Sequence, residues 1–192
     1  MLSRTSAFSL LAILVAAYGA VVAANPERRP TSREGEILLD SHWHQLPPYA
    51  RFTPERLRLG CHSLAYAQIL AYHQLAPTGQ VQYTTSAGHE IAVDPSSYDF
   101  DLSRFESAID DATDPRVAED IARYCYFVAA VCRKDFGTDT YLAKFHAKEI
   151  ARHFDCETKL HLAIGPEAVA RIIPIVVAEI DAGRPVYFHW NT

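Results

Sequence analysis

Cysteine is scarce in this sequence, with 4 among 192 residues. That is far too few for a disulfide scaffold. Glycine is also sparse, with 8 residues and no cluster, so no glycine-rich loop is available to cradle a phosphate. No Lys/Arg run occurs and the formal net charge is −5. The electrostatic footprint of a nucleic-acid binder is therefore missing. The 9 histidines form neither a His-Glu-x-x-His pattern nor a set completed by Cys-x-x-Cys. Past the N-terminus no apolar run is long enough to span a bilayer. Internal repeats and low-complexity segments are absent too.

What is present is ordinary globular material, 49% hydrophobic and 21% charged. A chain this long holds about one domain and can bury a core without staples. Residues 1–24 read as a signal peptide. Arg4 supplies the positive start, Ala7 to Val22 the apolar stretch, and Val22-Ala23-Ala24 the small residues of a cleavage site. The expected location is secreted or periplasmic, with no membrane association after cleavage. Residues 25–37 are polar and Pro-rich, a flexible lead-in or short propeptide. The folded domain is expected over 38–192.

The periodicity predicts a helix from Cys61 to about Leu75, with Leu64, Ala67, Leu70 and Ala71 on its apolar positions. Val81 to Val93 reads as a hairpin around Gly88. A long helix is expected from about Pro115, a suitable first residue after Asp114, to Cys132 or Arg133, with Val117, Ile121, Tyr124, Cys125, Val128 and Cys132 as its stripe, and a third from about Asp139 to Phe154. Leu160, Leu162 and Ile164 alternate as a strand. A helix from Pro166 should break at Pro174, resume to Ala182 and stop at Gly183. Arg184 to Trp190 reads as a final strand. Helices precede most strands, which indicates an α+β fold.

Gly60-Cys61 puts a thiol at a helix N-terminus. The unpaired N–H groups and dipole of a first turn favour a thiolate, which is the nucleophilic form. A cysteine there can equally be structural. Upstream, Gln45 sits in Trp43-His44-Gln45-Leu46-Pro47-Pro48-Tyr49. Its amide could donate to an oxyanion beside Cys61, or could be a solvated loop residue. Cys125 and Cys132 lie seven apart on one predicted helix, about 10 Å, beyond disulfide reach. They read as small core hydrophobes, and Cys156 reads as a third structural thiol that could pair with one of them.

These motifs together resemble the streptopain family of secreted bacterial cysteine peptidases, in the papain-like superfamily. The Trp-x-Gln-x-x-Pro-Tyr pattern is present as Trp43, Gln45, Pro48 and Tyr49. Gly60-Cys61 is followed by Ala65-Tyr66-Ala67-Gln68-Ile69-Leu70-Ala71-Tyr72-His73. Tyr98-Asp99-Phe100-Asp101, Asp135-Phe136-Gly137 and Gly183-Arg184-Pro185-Val186-Tyr187-Phe188 resemble later family segments. The likeness runs from about Leu38 to His189.

The resemblance implies a papain-like fold with a helical layer and an incomplete antiparallel β-layer. It implies hydrolysis of protein or peptide substrates through a thioester on Cys61. Gln45 and the Cys61 N–H would hold the oxyanion, and no cofactor is required. His62 and Ser63 replace small apolar residues and crowd the entrance. The family's general base is a histidine in a Gly-His-hydrophobic motif after the Pro-Val-Tyr strand, a motif the sequence does not reach by Thr192. His189 lies on the preceding strand and does not match it. The sequence therefore predicts either part of an active peptidase or a degenerate relative that binds peptides without cutting them. The open edge at Val186–Trp190 predicts self-association.

Overall fold

A computed structural model describes residues 8–16, 38–143 and 146–191. Most of the predicted signal peptide and all of residues 25–37 lie outside them, as do Lys144, Phe145 and Thr192. The chain divides into two units, one built on residues 40–157 and the other on residues 9–39 and 158–192.

The first unit is mainly helical. Helix α1 covers Cys61–Tyr72 and α2 covers Pro115–Val131. The start of α2 is specified locally. Asp114 caps it by accepting the Arg116 N–H at 2.8 Å, and Pro115 fills the first turn, where no N–H is needed. Its buried stripe includes Val117, Ile121, Tyr124, Cys125 and Val128, the positions expected from periodicity. Ala67, Ile69 and Leu70 of α1 are buried with it, and α1 packs on α2. Tyr124 is fully buried, and its hydroxyl donates to the Leu75 carbonyl at 2.9 Å just beyond α1. Burying a phenol is tolerable when its O–H has a partner.

The expected hairpin is β2 (Val81–Thr84) paired antiparallel with β3 (Glu90–Val93). Gly88 lies in its turn at φ +86°. The third helix is shorter than expected. Among the described residues helix α3 covers His146–His153. Residues 138–141 instead bend back so that Tyr141 bridges to Lys134.

The second unit contains most of β4 (Cys156–Ile164), α4 (Pro166–Asp181) and β5 (Tyr187–Asn191). The alternating leucines of β4 face outward, with Leu160 and Leu162 exposed while Ala163 is fully buried. Ala163 packs with Ile172 of α4, flanked by Val169, Ile175, Val176 and Val186. Helix α4 runs unbroken through Pro174, contrary to the expected interruption. An internal proline costs roughly 3 kcal/mol, and burying the Ile172 stripe on both sides of it offsets that. The strand order is β4-β1-β5, where β1 is Phe8–Ala16. β1 pairs with β5 in parallel, Ala12 opposite Tyr187 through Ala16 opposite Asn191. Residues expected in a signal peptide thus occupy the inner side of β5, whose other side is a sheet edge.

Candidate active site

Cys61 is the first residue of α1, and its side chain is exposed and unpaired with any other cysteine. Gly60 caps the helix at φ +89° and ψ 142°, a conformation essentially confined to glycine. A Cβ at Gly60 would overlap the Tyr141 hydroxyl and stand 3.0 Å from Lys134 Cδ. Glycine is therefore required here for backbone conformation and for space. The turn is otherwise tightly bonded. Ser63, fully buried, donates its hydroxyl to the Leu59 carbonyl at 2.5 Å and to the Gly60 carbonyl at 3.1 Å. The Ser63 N–H donates to the Tyr141 hydroxyl at 3.3 Å, and the Leu64 N–H to the Gly60 carbonyl at 3.1 Å. Among the described residues no hydrogen bond engages the Cys61 N–H, which leaves that donor available at the helix start.

The tryptophan-glutamine segment is brought to this turn through the backbone. The Leu59 N–H donates to the Gln45 carbonyl at 3.1 Å, so Gln45 is tied to a residue two before Cys61. Its flanks are anchored in the core. Trp43 is buried and donates from Nε1 to the Glu106 carbonyl at 2.9 Å. Tyr49 is buried, and its hydroxyl accepts the Ile109 N–H at 2.8 Å. The Trp43 and Tyr49 rings lie 6.3 Å apart, and Pro47–Pro48 is cis. Gln68, from the Ala-Gln-Ile stretch of α1, accepts the Ser41 hydroxyl at 2.8 Å and holds the lead-in to Trp43.

A second wall comes from the end of α2 and the residues after it. Asp135 and Phe136 are buried, and Gly137 turns the chain at φ +96°. Burial alone would raise the Asp135 carboxyl. The Ser86 N–H at 2.7 Å, with the hydroxyls of Ser86, Thr138 and Thr140, outweighs it and holds the group below the usual carboxylate range. Tyr141 then packs on His62, with ring centroids 5.1 Å apart, and on His146 at 4.6 Å. His62 and His146 stand 5.4 Å apart, edge to face. Burial pushes the Tyr141 phenol well above its ordinary value. These neighbours lie some 70–85 residues after Cys61, and no short motif links them to it. The sequence marks only Asp135-Phe136-Gly137 here, as a segment resembling the family's, and carries no signal for Lys134, Tyr141 or His146.

The other thiols differ from Cys61. Cys125 and Cys132 are buried, and burial pushes both thiols far up. Cys156 is half-buried and pushed up to about 11 by the same cause. All are free, so Cys156 pairs with neither. Among the described residues no group of three or more His, Cys, Asp or Glu could hold a metal ion. No helix among them is long and apolar enough to cross a membrane. His189 lies on β5, in the second unit.

Against known proteins, the model of the Peptidase C10 family, the streptopain family, matches residues 43–192. No curated protein matches. The fold is similar to that of active wild-type interpain A, a cysteine protease of Prevotella intermedia, with a TM-score of 0.53 and 20% identity. The match covers 61% of this chain and 53% of that one. A prointerpain A fragment from the same organism gives a TM-score of 0.54 at 20% identity, covering 62% and 42%. The chain thus spans about half the length of these solved relatives.

Proposed function

From the premise that the chain belongs to the Peptidase C10 family, we propose that it is an exported cysteine-type endopeptidase acting on protein or peptide substrates. The observation that carries this is the backbone tie of Gln45 to the turn presenting an exposed Cys61 with an open N–H. Cys61 Sγ attacks the scissile carbonyl carbon, and the carbonyl oxygen becomes an oxyanion. The Gln45 amide and the Cys61 N–H donate to it. Collapse breaks the C–N bond, releases the amine with one proton and leaves a thioester on Sγ. Water then cleaves the thioester and restores the thiol. The base that takes up and returns the proton is, as the family resemblance implies, a histidine of a Gly-His-hydrophobic motif, which His189 on β5 does not match. Residues 1–24 act as an export signal, and β5 pairs with a second copy once they are removed.

Turnover of quenched fluorescent peptides by the protein recovered from the culture medium tests the reading. Cleavage that disappears in Cys61→Ala and falls about 10²–10³-fold in Gln45→Ala is expected, as for loss of an oxyanion donor. Cleavage that survives Cys61→Ala overturns it. Saturable peptide binding without any cleavage overturns it in favour of a non-cutting binding protein.

A further inference from the structure

Among the described residues Lys134 is the most deeply buried cation of the first unit, only 3% exposed. A buried ammonium must be fully partnered or it loses its proton. Its Nζ donates to the carbonyl oxygens of Asp135 at 3.3 Å, Thr140 at 3.1 Å, and Thr138. All three partners are neutral dipoles, so the positive charge is held without being cancelled by direct ion pairing. The side chain approaches the nucleophile's turn. Its Cδ lies 3.0 Å from where a Gly60 Cβ would stand, against the residue before Cys61. Its Nζ is 5.1 Å from the centroid of Tyr141, whose hydroxyl accepts the Ser63 N–H in the first turn of α1.

We propose that Lys134 is a charge-positioning residue, whose buried ammonium beneath the first turn of α1 stabilises the Cys61 thiolate. This rests on the reading of Cys61 as nucleophile. Three carbonyls fix the ammonium and Gly60 leaves room for its stem, so the cation is preorganised. The ammonium is buried while the Cys61 thiol is exposed, so its field crosses protein before it meets solvent and is screened less than between two exposed charges. The other ionisable groups facing this region are the Asp135 and Asp139 carboxylates, the Tyr83 and Tyr141 phenols, and the His62 and His146 imidazoles. Burial pulls the Lys134 ammonium down from the ordinary lysine range, and Asp139, Asp135 and Cys61 oppose that pull.

The test is the iodoacetamide alkylation rate of Cys61 against pH, read by peptide mass spectrometry in wild type and Lys134→Met, with thermal melts of both. Expected is a Lys134→Met rate about tenfold lower at neutral pH, with the whole profile displaced about one pH unit upward. A cooperatively melting Lys134→Met whose profile superimposes on wild type overturns the proposal and leaves Lys134 as a clamp on the 135–140 loop.

Should Lys134→Met not melt cooperatively, the decision falls to the wild-type lysine itself. Its side-chain ¹³Cε resonance is titrated in wild type and in Cys61→Ser. Coupling is reciprocal, so the Lys134 midpoint should fall in Cys61→Ser, and an unchanged midpoint overturns the proposal. Neither readout uses a substrate, so a failed peptidase reading and a failed Lys134 role remain distinguishable.

Discussion

Replacing Gly60 with alanine places two separate costs on the turn that presents Cys61. The first is backbone strain, because φ is +89°, and holding a non-glycine residue there costs about 1–3 kcal/mol. The second is steric. The new methyl would overlap the Tyr141 hydroxyl and press on Lys134 Cδ at 3.0 Å, and overpacking of this kind costs about 1–3 kcal/mol. Together they amount to about 2–6 kcal/mol, and at about 2–4 °C per kcal/mol a central value lowers Tm by about 8–16 °C. Gly88→Ala is the control. Gly88 is at φ +86° with nothing within 4 Å of its added Cβ, so only the strain applies. Adding Tyr141→Ala to Gly60→Ala should recover part of the steric loss, a coupling of about 1 kcal/mol or more in a double-mutant cycle. Calorimetry of wild type, Gly60→Ala, Tyr141→Ala, their double mutant and Gly88→Ala measures these effects. A Gly60→Ala loss no larger than that of Gly88→Ala, or zero coupling with Tyr141→Ala, would refute the packing argument.

Three further outcomes follow from the same structure. Asp135 is held below the usual carboxylate range, so its contribution is present above the unfolded value of about 3.9 and is lost as pH falls through the folded one. Melts between neutrality and acid should show the Tm gap between wild type and Asp135→Asn shrinking below about pH 4, and a constant gap would count against the network. Iodoacetamide mapping of the native protein should label Cys61 first, Cys156 slowly, and the buried Cys125 and Cys132 only on unfolding. Removing residues 1–24 strips β1 from β5 and leaves exposed Leu160, Leu162 and Phe188 in the same unit. Sedimentation should then show concentration-dependent dimers, and a strict monomer at all concentrations would contradict this.

Local rules made the helical unit readable in the sequence. The Asp114 cap, Pro115 and the α2 stripe each agree with tertiary packing, and the Gly60-Cys61 turn is marked by glycine chemistry. The shortened α3 was not readable. Its expected first turn is taken by the loop whose carbonyls surround the Lys134 ammonium, a demand set by burial and not by periodicity. Pro174 misled for a similar reason, since packing of the Ile172 stripe outweighs a local breaker. The roles of Tyr141 and Lys134 beside Cys61 arise from contacts far apart in sequence, which no spacing rule encodes.

The most direct test of the central claim is acid-quench trapping of a thioester. A peptide ester with a good leaving group needs no proton to depart, so acylation reports the nucleophile and its oxyanion donors alone. Mixing, quenching at low pH and peptide mapping should place one acyl group on Cys61, absent in Cys61→Ala and slower to form in Gln45→Ala. An acyl group on any other residue, or none on Cys61 at saturating ester, would contradict the account.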